Sequence, residues 1–294
     1  SKEITETYPA LIRNYQSLPL FLKWDDAEYG LRAKEAGFPT VSFPGAGVWH
    51  VSWTDKDDSV GWQAYYHERN RLITALLHSP FDKGGRVMLD SLFLDVKHTL
   101  SMQYYTEAGR LMALEDLLSG PEHLHESLSA RLPQIRAMAA EYPESQVKTD
   151  VDSFPTIKNK KPPFRGRRNF KSPGYKKLVP WTMNTLRRQL TKPMTGELKS
   201  HPQIQLNYGE SNWWTLSRFD SALATNAEGT GLFWYRRDPK QVRSKLIDAT
   251  KLHARLLKEW PTLRERYRNA SASVASYEAW AETFAKHTES ELKR

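Results

Sequence analysis

Cysteine is absent from the 294 residues of this chain. That absence excludes disulfide bonds and thiolate metal ligands, and it fits a reducing compartment. The sequence contains no apolar run of the roughly 18 residues that a membrane-spanning helix needs, and residues 1–13 lack the apolar core of a signal peptide. A chain of this length can form one large domain or two modest ones.

Acidic residues are also missing between Asp152 and Glu197, where twelve lysines and arginines occur. Removing those twelve charges turns the formal net charge of +9 into −3, so this one segment makes the protein basic. The segment, residues 153–196, is rich in proline and places aromatic side chains among its cations. It could be a solvated loop, a nucleic-acid-binding surface or a surface that holds the protein against an anionic membrane.

The most informative pattern lies in residues 20–53, where an adjacent carboxylate pair opens a short helical pattern. Asp25 or Asp26 can cap this helix, which we expect to end at Gly37. The helix dipole keeps a carboxylate at that end ionised, as a general base or a metal ligand must be. A strand-like run then leads to His50, which can bind a divalent ion or fill a polar pocket.

The helix after the acidic pair is predicted to pack through Ala27, Leu31 and Ala36, leaving charged residues such as Glu28 in water. Further along, three- and four-residue apolar spacing predicts a mainly helical chain. Helices are expected over residues 61–77, 85–118, 124–138, 179–190, 242–260 and 273–286, with a β-hairpin within 212–235. Pro261 is expected to kink or end the long helix that precedes it.

The histidine and tryptophans near the acidic pair each allow two interpretations. His67 lies on the helix over residues 61–77 and is, from the residue alone, a partly buried helix histidine. Trp24, Trp49 and Trp53 could be core residues, or their flat rings could cover the C–H faces of a sugar. We expect Trp53 and Trp24 to face a sugar and Trp49 to be structural.

The order of these features resembles the site of inverting GT-A glycosyltransferases. These enzymes carry an acidic pair, an arginine and a glycine on the helix that follows, and then a metal-binding histidine, which correspond here to Asp25, Asp26, Arg32, Gly37 and His50. The runs WDDAEYGLRA, WHVSWTDKDD and YHERNR resemble, more specifically, the galactofuranosyltransferases that polymerise cell-wall galactan in mycobacteria and their relatives. A weaker resemblance continues through LSGPEH at residues 118–123 and into the C-terminal third.

This resemblance implies the fold and the site. Residues 1–80 would be the α/β tail of a GT-A, Rossmann-like catalytic domain, and residues 81–294 a mainly α-helical C-terminal domain. Asp26 would be the catalytic base, Asp25 would orient the acceptor, and His50 would bind Mg²⁺ or Mn²⁺. The residues implied to bind substrate are Lys23, Trp24, Trp53 and His67.

The resemblance also implies substrates and surroundings. The donor would be UDP-galactofuranose, and the acceptor a lipid-linked cell-wall galactan extended with inversion through β-1,5 and β-1,6 linkages. The protein would be a homo-oligomer, peripheral to the cytoplasmic face of the plasma membrane, without nucleic acid as a partner. Because the family's acceptor is lipid-linked, the basic segment is expected to contact an anionic membrane.

In this family the donor nucleotide and an aspartate-rich metal motif lie on a sheet upstream of the acidic pair. No such motif precedes Asp25 here. We therefore expect that this sequence is the C-terminal part of a longer enzyme or that another chain supplies the donor half. Two other functions stay open, a non-catalytic scaffold or assembly domain and a nucleic-acid-binding module.

Overall fold

The computed structural model describes residues 16–41, 45, 60–157 and 170–292, and this part of the chain is mainly helical with one small sheet. The elements are α1 (Asp25–Glu35), α2 (Gln63–His78), α3 (Arg86–Leu100), α4 (Tyr104–Ser119), α5 (Leu124–Met138), α6 (Tyr175–Thr191), α7 (Gly196–Ser200), β1 (Ile204–Leu206), α8 (Trp213–Leu216), β2 (Ser221–Thr225), β3 (Leu232–Arg236), α9 (Pro239–Val274) and α10 (Tyr277–Leu292). The mainly helical character predicted for the C-terminal region is confirmed. A GT-A fold for the region before it stays a prediction. Among the described helices, none combines the length and apolar content that crossing a bilayer requires.

The main core lies where α2, α4 and α9 meet. Each of these helices turns an apolar stripe toward the other two, and burial of such stripes is what stabilises helices of this length. The central core residues are Leu72, Ile73, Leu76, Leu114, Leu117, Leu256, Trp260 and Leu263. Helix α2, which belongs to the first predicted domain, therefore shares one core with helices of the second.

Helix α9 continues through Pro261, so the helix does not end at this residue, which was one of the two outcomes predicted for it. Pro261 lies on the exposed side of the helix, whereas Trp260 is fully buried and Leu263 nearly so. Proline removes one helical hydrogen bond. The apolar side chains buried on either side of Pro261 offset that loss and keep the helix in place.

The predicted β-hairpin is confirmed, because β2 pairs antiparallel with β3. The structure adds β1, which pairs parallel with β2 and was not predicted. A second apolar core covers one side of this sheet and includes Leu206, Phe219 and Tyr235.

Helix α6 packs on this second core and confirms the helix predicted over residues 179–190. Its apolar residues divide between two faces, since Leu186 and Leu190 pack against the core. Tyr175, Val179 and Met183 are instead 94%, 70% and 59% exposed. The apolar face that α6 offers to solvent is therefore built from these three residues, and not from Leu186 and Leu190.

The LSGPEH run forms the turn between α4 and α5. Gly120 has a φ of 109°, a left-handed conformation that glycine adopts without steric cost. A side chain at this position would overlap the guanidinium of Arg266, which donates to the carbonyl of Ser119 at 2.9 Å and to Glu122 at 3.0 Å. This motif thus fastens α9 to the α4–α5 turn.

A buried charge cluster, made of Glu68, Asp95, Glu107 and Arg110, lies where α2, α3 and α4 meet. The Arg110 guanidinium lies 2.6 Å from Glu68, 2.6 Å from Asp95 and 4.0 Å from Glu107. Neither carboxyl oxygen of Glu107 accepts a hydrogen bond from any described residue.

Burial and neighbouring charge set the protonation of the buried charge cluster. Burial raises the pKa of Glu107 well above its usual range, and the nearby Asp95 carboxylate adds to this effect. Burial also raises the pKa of Asp95 against the opposing charge of Arg110. For Glu68, the charges of Arg110 and Arg71 outweigh burial and lower the pKa. Relative to their ordinary behaviour, the cluster therefore favours the ionised form of Glu68 and the neutral forms of Asp95 and Glu107.

Candidate active site at the start of helix α1

The acidic pair occupies the first two positions of α1, and both carboxylates are exposed. The residue before the helix, Trp24, is the N-cap and has no side-chain hydrogen bond to the helix, so the prediction that an aspartate caps α1 is wrong. The Oδ1 atom of Asp26 accepts from the N–H of Ala27 at 2.7 Å. Both side chains thus lie at the positive end of the helix dipole.

The predicted end of α1 is confirmed. Gly37 has a φ of 91°, and its N–H donates to the carbonyl of Lys34 at 3.0 Å. The N–H of Phe38 donates to the carbonyl of Ala33 at 3.0 Å. These paired bonds form a Schellman motif, which satisfies the last carbonyls of the helix.

The backbone just before the acidic pair is strained. Leu22 and Trp24 have φ values of 69° and 66°, in the left-handed region that residues with a side chain rarely adopt. This conformation costs roughly 1–2 kcal/mol per residue. Strain of this kind persists only where surrounding contacts hold it, and it is concentrated at functional sites.

Asn70 of α2 supplies such contacts. Its side chain is fully buried, and its Nδ2 atom donates to the carbonyl of Lys23 at 2.7 Å and to that of Phe21 at 3.3 Å. The Phe21 ring also packs edge-on against Tyr66 of α2, with ring centres 5.1 Å apart. The loop over residues 21–24 is therefore fastened to α2. His67 lies three residues before Asn70, on the helix face that receives the loop.

A second attachment joins α1 to the other end of α2. Glu28 is only 1% exposed and pairs with Arg32 at 3.1 Å and with His78 at 3.3 Å, while Glu35 contacts His78 at 2.8 Å. The prediction that Glu28 stays in water is therefore wrong. The residues predicted to pack inward are exposed instead, namely Ala27, Leu31 and Ala36. Helix α1 is therefore held to α2 by charge and hydrogen bonds, through the histidine at the end of α2.

The environment of His78 has opposing effects on its pKa. Burial lowers it, but the hydrogen bonds to Glu28 and Glu35 and the charges of these residues outweigh burial and raise the pKa above its usual value. The folded protein therefore binds a proton here more tightly than the unfolded chain does. The resulting stabilisation is complete below the unfolded pKa of about 6.5 and is lost as pH rises through the higher folded pKa.

Replacing His78 with glutamine should remove this pH-dependent stabilisation. We expect the variant to lose about 0.5–1 kcal/mol relative to the parent at pH 5.5, because Glu35 is largely solvated and screens part of the interaction. The difference should shrink as pH rises, because His78 then loses its proton in both states. Urea unfolding from pH 5.5 to 9 measures it, with His201→Gln as the control, since His201 bonds the Ser200 hydroxyl instead of a carboxylate. A difference that does not change with pH would contradict the assignment.

The structure describes three of the residues predicted to bind substrate. Lys23 and Trp24 are half-buried in the strained loop, and His67 is half-buried on the neighbouring face of α2. His50 and Trp53 lie outside the described residues, as does Trp49. Within the ranges that the structure describes, no group of three His, Asp or Glu side chains converges on a metal site.

Sequence reasoning kept only His67 from the YHERNR run and missed the residues that follow it. Arg69 and Asn70 are fully buried, although α2 is otherwise an apolar-core helix. Arg69 donates to Ser127 of α5 at 2.7 Å and to the Tyr65 hydroxyl at 3.2 Å. The missed signal was the unbroken series of polar residues over 67–71. It is too wide for a single solvent-facing stripe.

The family of this chain follows from sequence comparison. The family model described as galactofuranosyltransferase-2, domain 3, matches residues 87–286, which is more than half of the chain. The chain belongs to the galactofuranosyltransferase-2 family. The resemblance read from the WDDAEYGLRA and YHERNR runs is thereby confirmed.

Two relatives show how far the similarity extends. The chain is 35% identical over 286 residues to the galactofuranosyltransferase GlfT2 of Mycolicibacterium smegmatis, which covers 95% of this chain and 42% of that protein. It is 34% identical over 270 residues to the galactofuranosyltransferase GlfT2 of Mycobacterium tuberculosis, covering 90% of this chain and 41% of that protein. The chain thus spans about two fifths of the length of the curated relatives it matches.

Proposed function

We propose that this chain is the acceptor-binding and base-carrying part of an enzyme that transfers galactofuranose from UDP-galactofuranose to a lipid-linked galactan. One observation carries the proposal. Two exposed carboxylates, Asp25 and Asp26, start a helix at the end of a strained loop, and that loop is fastened to α2 through Asn70, three residues along the helix from His67. Both relatives are named galactofuranosyltransferases, which supports the transfer of this sugar.

In the proposed reaction, the oxygen of the acceptor hydroxyl bonds to the anomeric carbon of the donor while Asp26 accepts the proton of that hydroxyl. One base and a single displacement give inversion at that carbon. Asp25 orients the acceptor. The side chains that bind the sugars and the donor, through stacking and hydrogen bonds, are Lys23, Trp24, Trp53 and His67. The products alternate between β-1,5 and β-1,6 linkages.

A divalent metal, Mg²⁺ or Mn²⁺, is part of the proposal, with His50 as one ligand and the others upstream of α1. Such a metal would neutralise charge on the departing UDP diphosphate. Oxygen ligands and imidazole suit these ions. The described residues do not by themselves form such a site, so we propose that the upstream region completes it.

The surface around α1 supports a missing neighbour on that side. Five large apolar side chains near the helix are 40–61% exposed, namely Leu22, Tyr29, Leu31, Phe38 and Val41. Large apolar and aromatic side chains are typical of the buried part of an interface. We propose that the donor-binding GT-A domain carried by the longer protein packs here.

We propose that the protein is peripheral to the cytoplasmic face of the plasma membrane, where the basic segment holds it. We also propose that it is a homo-oligomer. The exposed Tyr175, Val179 and Met183 lie along one side of α6, close in sequence to Lys176 and Lys177, as in helices that lie in a membrane interface. A nucleic-acid-binding role is not favoured, because Arg188 of this segment is held by the buried Asp220 at 2.5 Å.

The proposal predicts that turnover needs an upstream donor region. UDP release from UDP-galactofuranose would be measured with Mn²⁺ and a short galactofuranoside acceptor. It would be run on this chain alone and on this chain joined to the upstream region of the Mycolicibacterium smegmatis relative. We expect turnover only by the joined protein and its loss on adding a chelator. Turnover by the chain alone would show that the donor binds here, and none by either would favour a scaffold.

A further inference from the structure

We propose that Asn70 is a positioning residue for the transfer reaction, in that its side-chain amide fixes the direction in which α1 presents Asp26 to the acceptor. The inference rests on the proposed role of Asp26 as the base. Asn70 reaches neither Asp26 nor the solvent. Its contact is with the backbone of Lys23, one residue before the N-cap of α1.

The geometry transmits this contact to the acidic pair. The carbonyl of Trp24 accepts the first hydrogen bond of α1, from the N–H of Glu28 at 2.9 Å. The dihedral angles of Trp24 therefore set where the helix begins and where its first two side chains point. Trp24 is held at a φ of 66°, and the carbonyl just before it is the one that Asn70 binds at 2.7 Å.

The orientation of the Asn70 amide is itself determined by its neighbours. Its Oδ1 atom accepts from Nε of Arg69 at 2.9 Å, so its two N–H donors must face the carbonyls of Phe21 and Lys23. Arg69 is in turn held by the hydroxyl of Ser127 at 2.7 Å. The amide is thus fixed before any substrate arrives, as positioning in catalysis requires.

The Asn70 amide donates to both carbonyls, and the carbonyl of Phe21 also accepts from the N–H of Lys23 at 2.9 Å. Losing the Asn70 amide would remove one hydrogen bond from each of these two carbonyls and release the strained backbone of Leu22 and Trp24. The start of α1 would then relax, and the base would sample positions away from the acceptor hydroxyl. A displacement of about 1 Å can lower a rate by about 10²-fold.

The test uses Asn70→Asp in the joined protein described above. Aspartate has nearly the same shape, so packing is retained, and when ionised it keeps the bond to Arg69 but donates nothing to the two carbonyls. Asn70→Ala is the second variant. The matched control is Thr74→Val, one turn further along α2, because Thr74 is also buried and donates only to the Asn70 carbonyl of its own helix.

For each variant we would measure kcat, the acceptor KM, the donor affinity and the unfolding midpoint. Asn70→Asp should lower kcat about 10- to 10²-fold, a larger change than that in donor affinity, because the variant displaces the base while the proposed donor-binding domain lies upstream. Thr74→Val should stay within about twofold of the parent. Normal kcat in Asn70→Asp would overturn the inference, as would equal losses of kcat in Asn70→Asp and Thr74→Val. Asp26→Asn, measured alongside, separates the two hypotheses, since normal turnover there would overturn the proposed function instead.

Discussion

Changing Asp26 to asparagine is expected to lower turnover by about 10²- to 10⁴-fold, the contribution typical of a general base. Asparagine has the same shape as aspartate and can still accept the bond from the N–H of Ala27, so α1 should keep its start. It cannot accept the proton of the acceptor hydroxyl. The kcat of the joined protein, with saturating donor and acceptor, measures this loss.

Two comparisons make that result specific. Donor affinity should not change, because Asp26 acts on the acceptor. Asp82→Asn removes a fully exposed carboxylate from the loop between α2 and α3 and should leave turnover unaffected. Turnover of Asp26→Asn near that of the parent would remove this residue from the role of base.

Replacing Arg110 with methionine is expected to have the largest effect on stability. It would leave Glu68 and Asp95 buried without the cation that both contact at 2.6 Å. Breaking a buried ion pair by removing one partner typically costs about 3–5 kcal/mol. That is a large share of the roughly 5–15 kcal/mol that stabilises most proteins. Urea unfolding followed by circular dichroism would measure the change.

The same experiment would include two further variants, Glu107→Gln and Arg255→Met. Because the pKa of Glu107 is raised, its proton stabilises the fold at low pH, and this stabilisation is lost as pH rises through the folded value. Glutamine has no charge to bury, so this variant should be more stable than the parent at pH 8 and should match it near pH 4. Arg255→Met breaks an exposed pair with Glu259 and should not move the midpoint. Equal losses in Arg110→Met and Arg255→Met would mean that the buried charge cluster does not stabilise the fold.

Much of the fold could be predicted from apolar spacing. The helices around Leu72, Leu114 and Leu256 bury long stripes, and such stripes determine both helix type and packing face. The helix end predicted at Pro261 was wrong because the local cost of proline was considered without the burial of Trp260. Strand β1 was missed because three residues carry too little pattern to be distinguished from a loop.

The sequence could indicate candidate site residues only where the type of side chain itself suggests a role. Asp25, Asp26 and His67 are recognisable from their chemistry and order. The burial of Glu28 depends on His78, which lies 50 residues away. The contact of Asn70 with the Lys23 carbonyl spans 47 residues. Neither pairing follows a helical or strand period, so no local sequence pattern predicts it.

The bond between the indole of Trp280 and the carbonyl of Ser17 joins positions 263 residues apart, at 2.9 Å. Arg268 likewise donates to the carbonyl of Leu77, 191 residues away. A ribosome releases the residues of α1 and α2 long before it releases α9 and α10. The loop over residues 21–24 is therefore among the first parts of this region to be synthesised and among the last to gain all its contacts. In the nascent chain, α1 and α2 must wait for the C-terminal helices before their surroundings are complete.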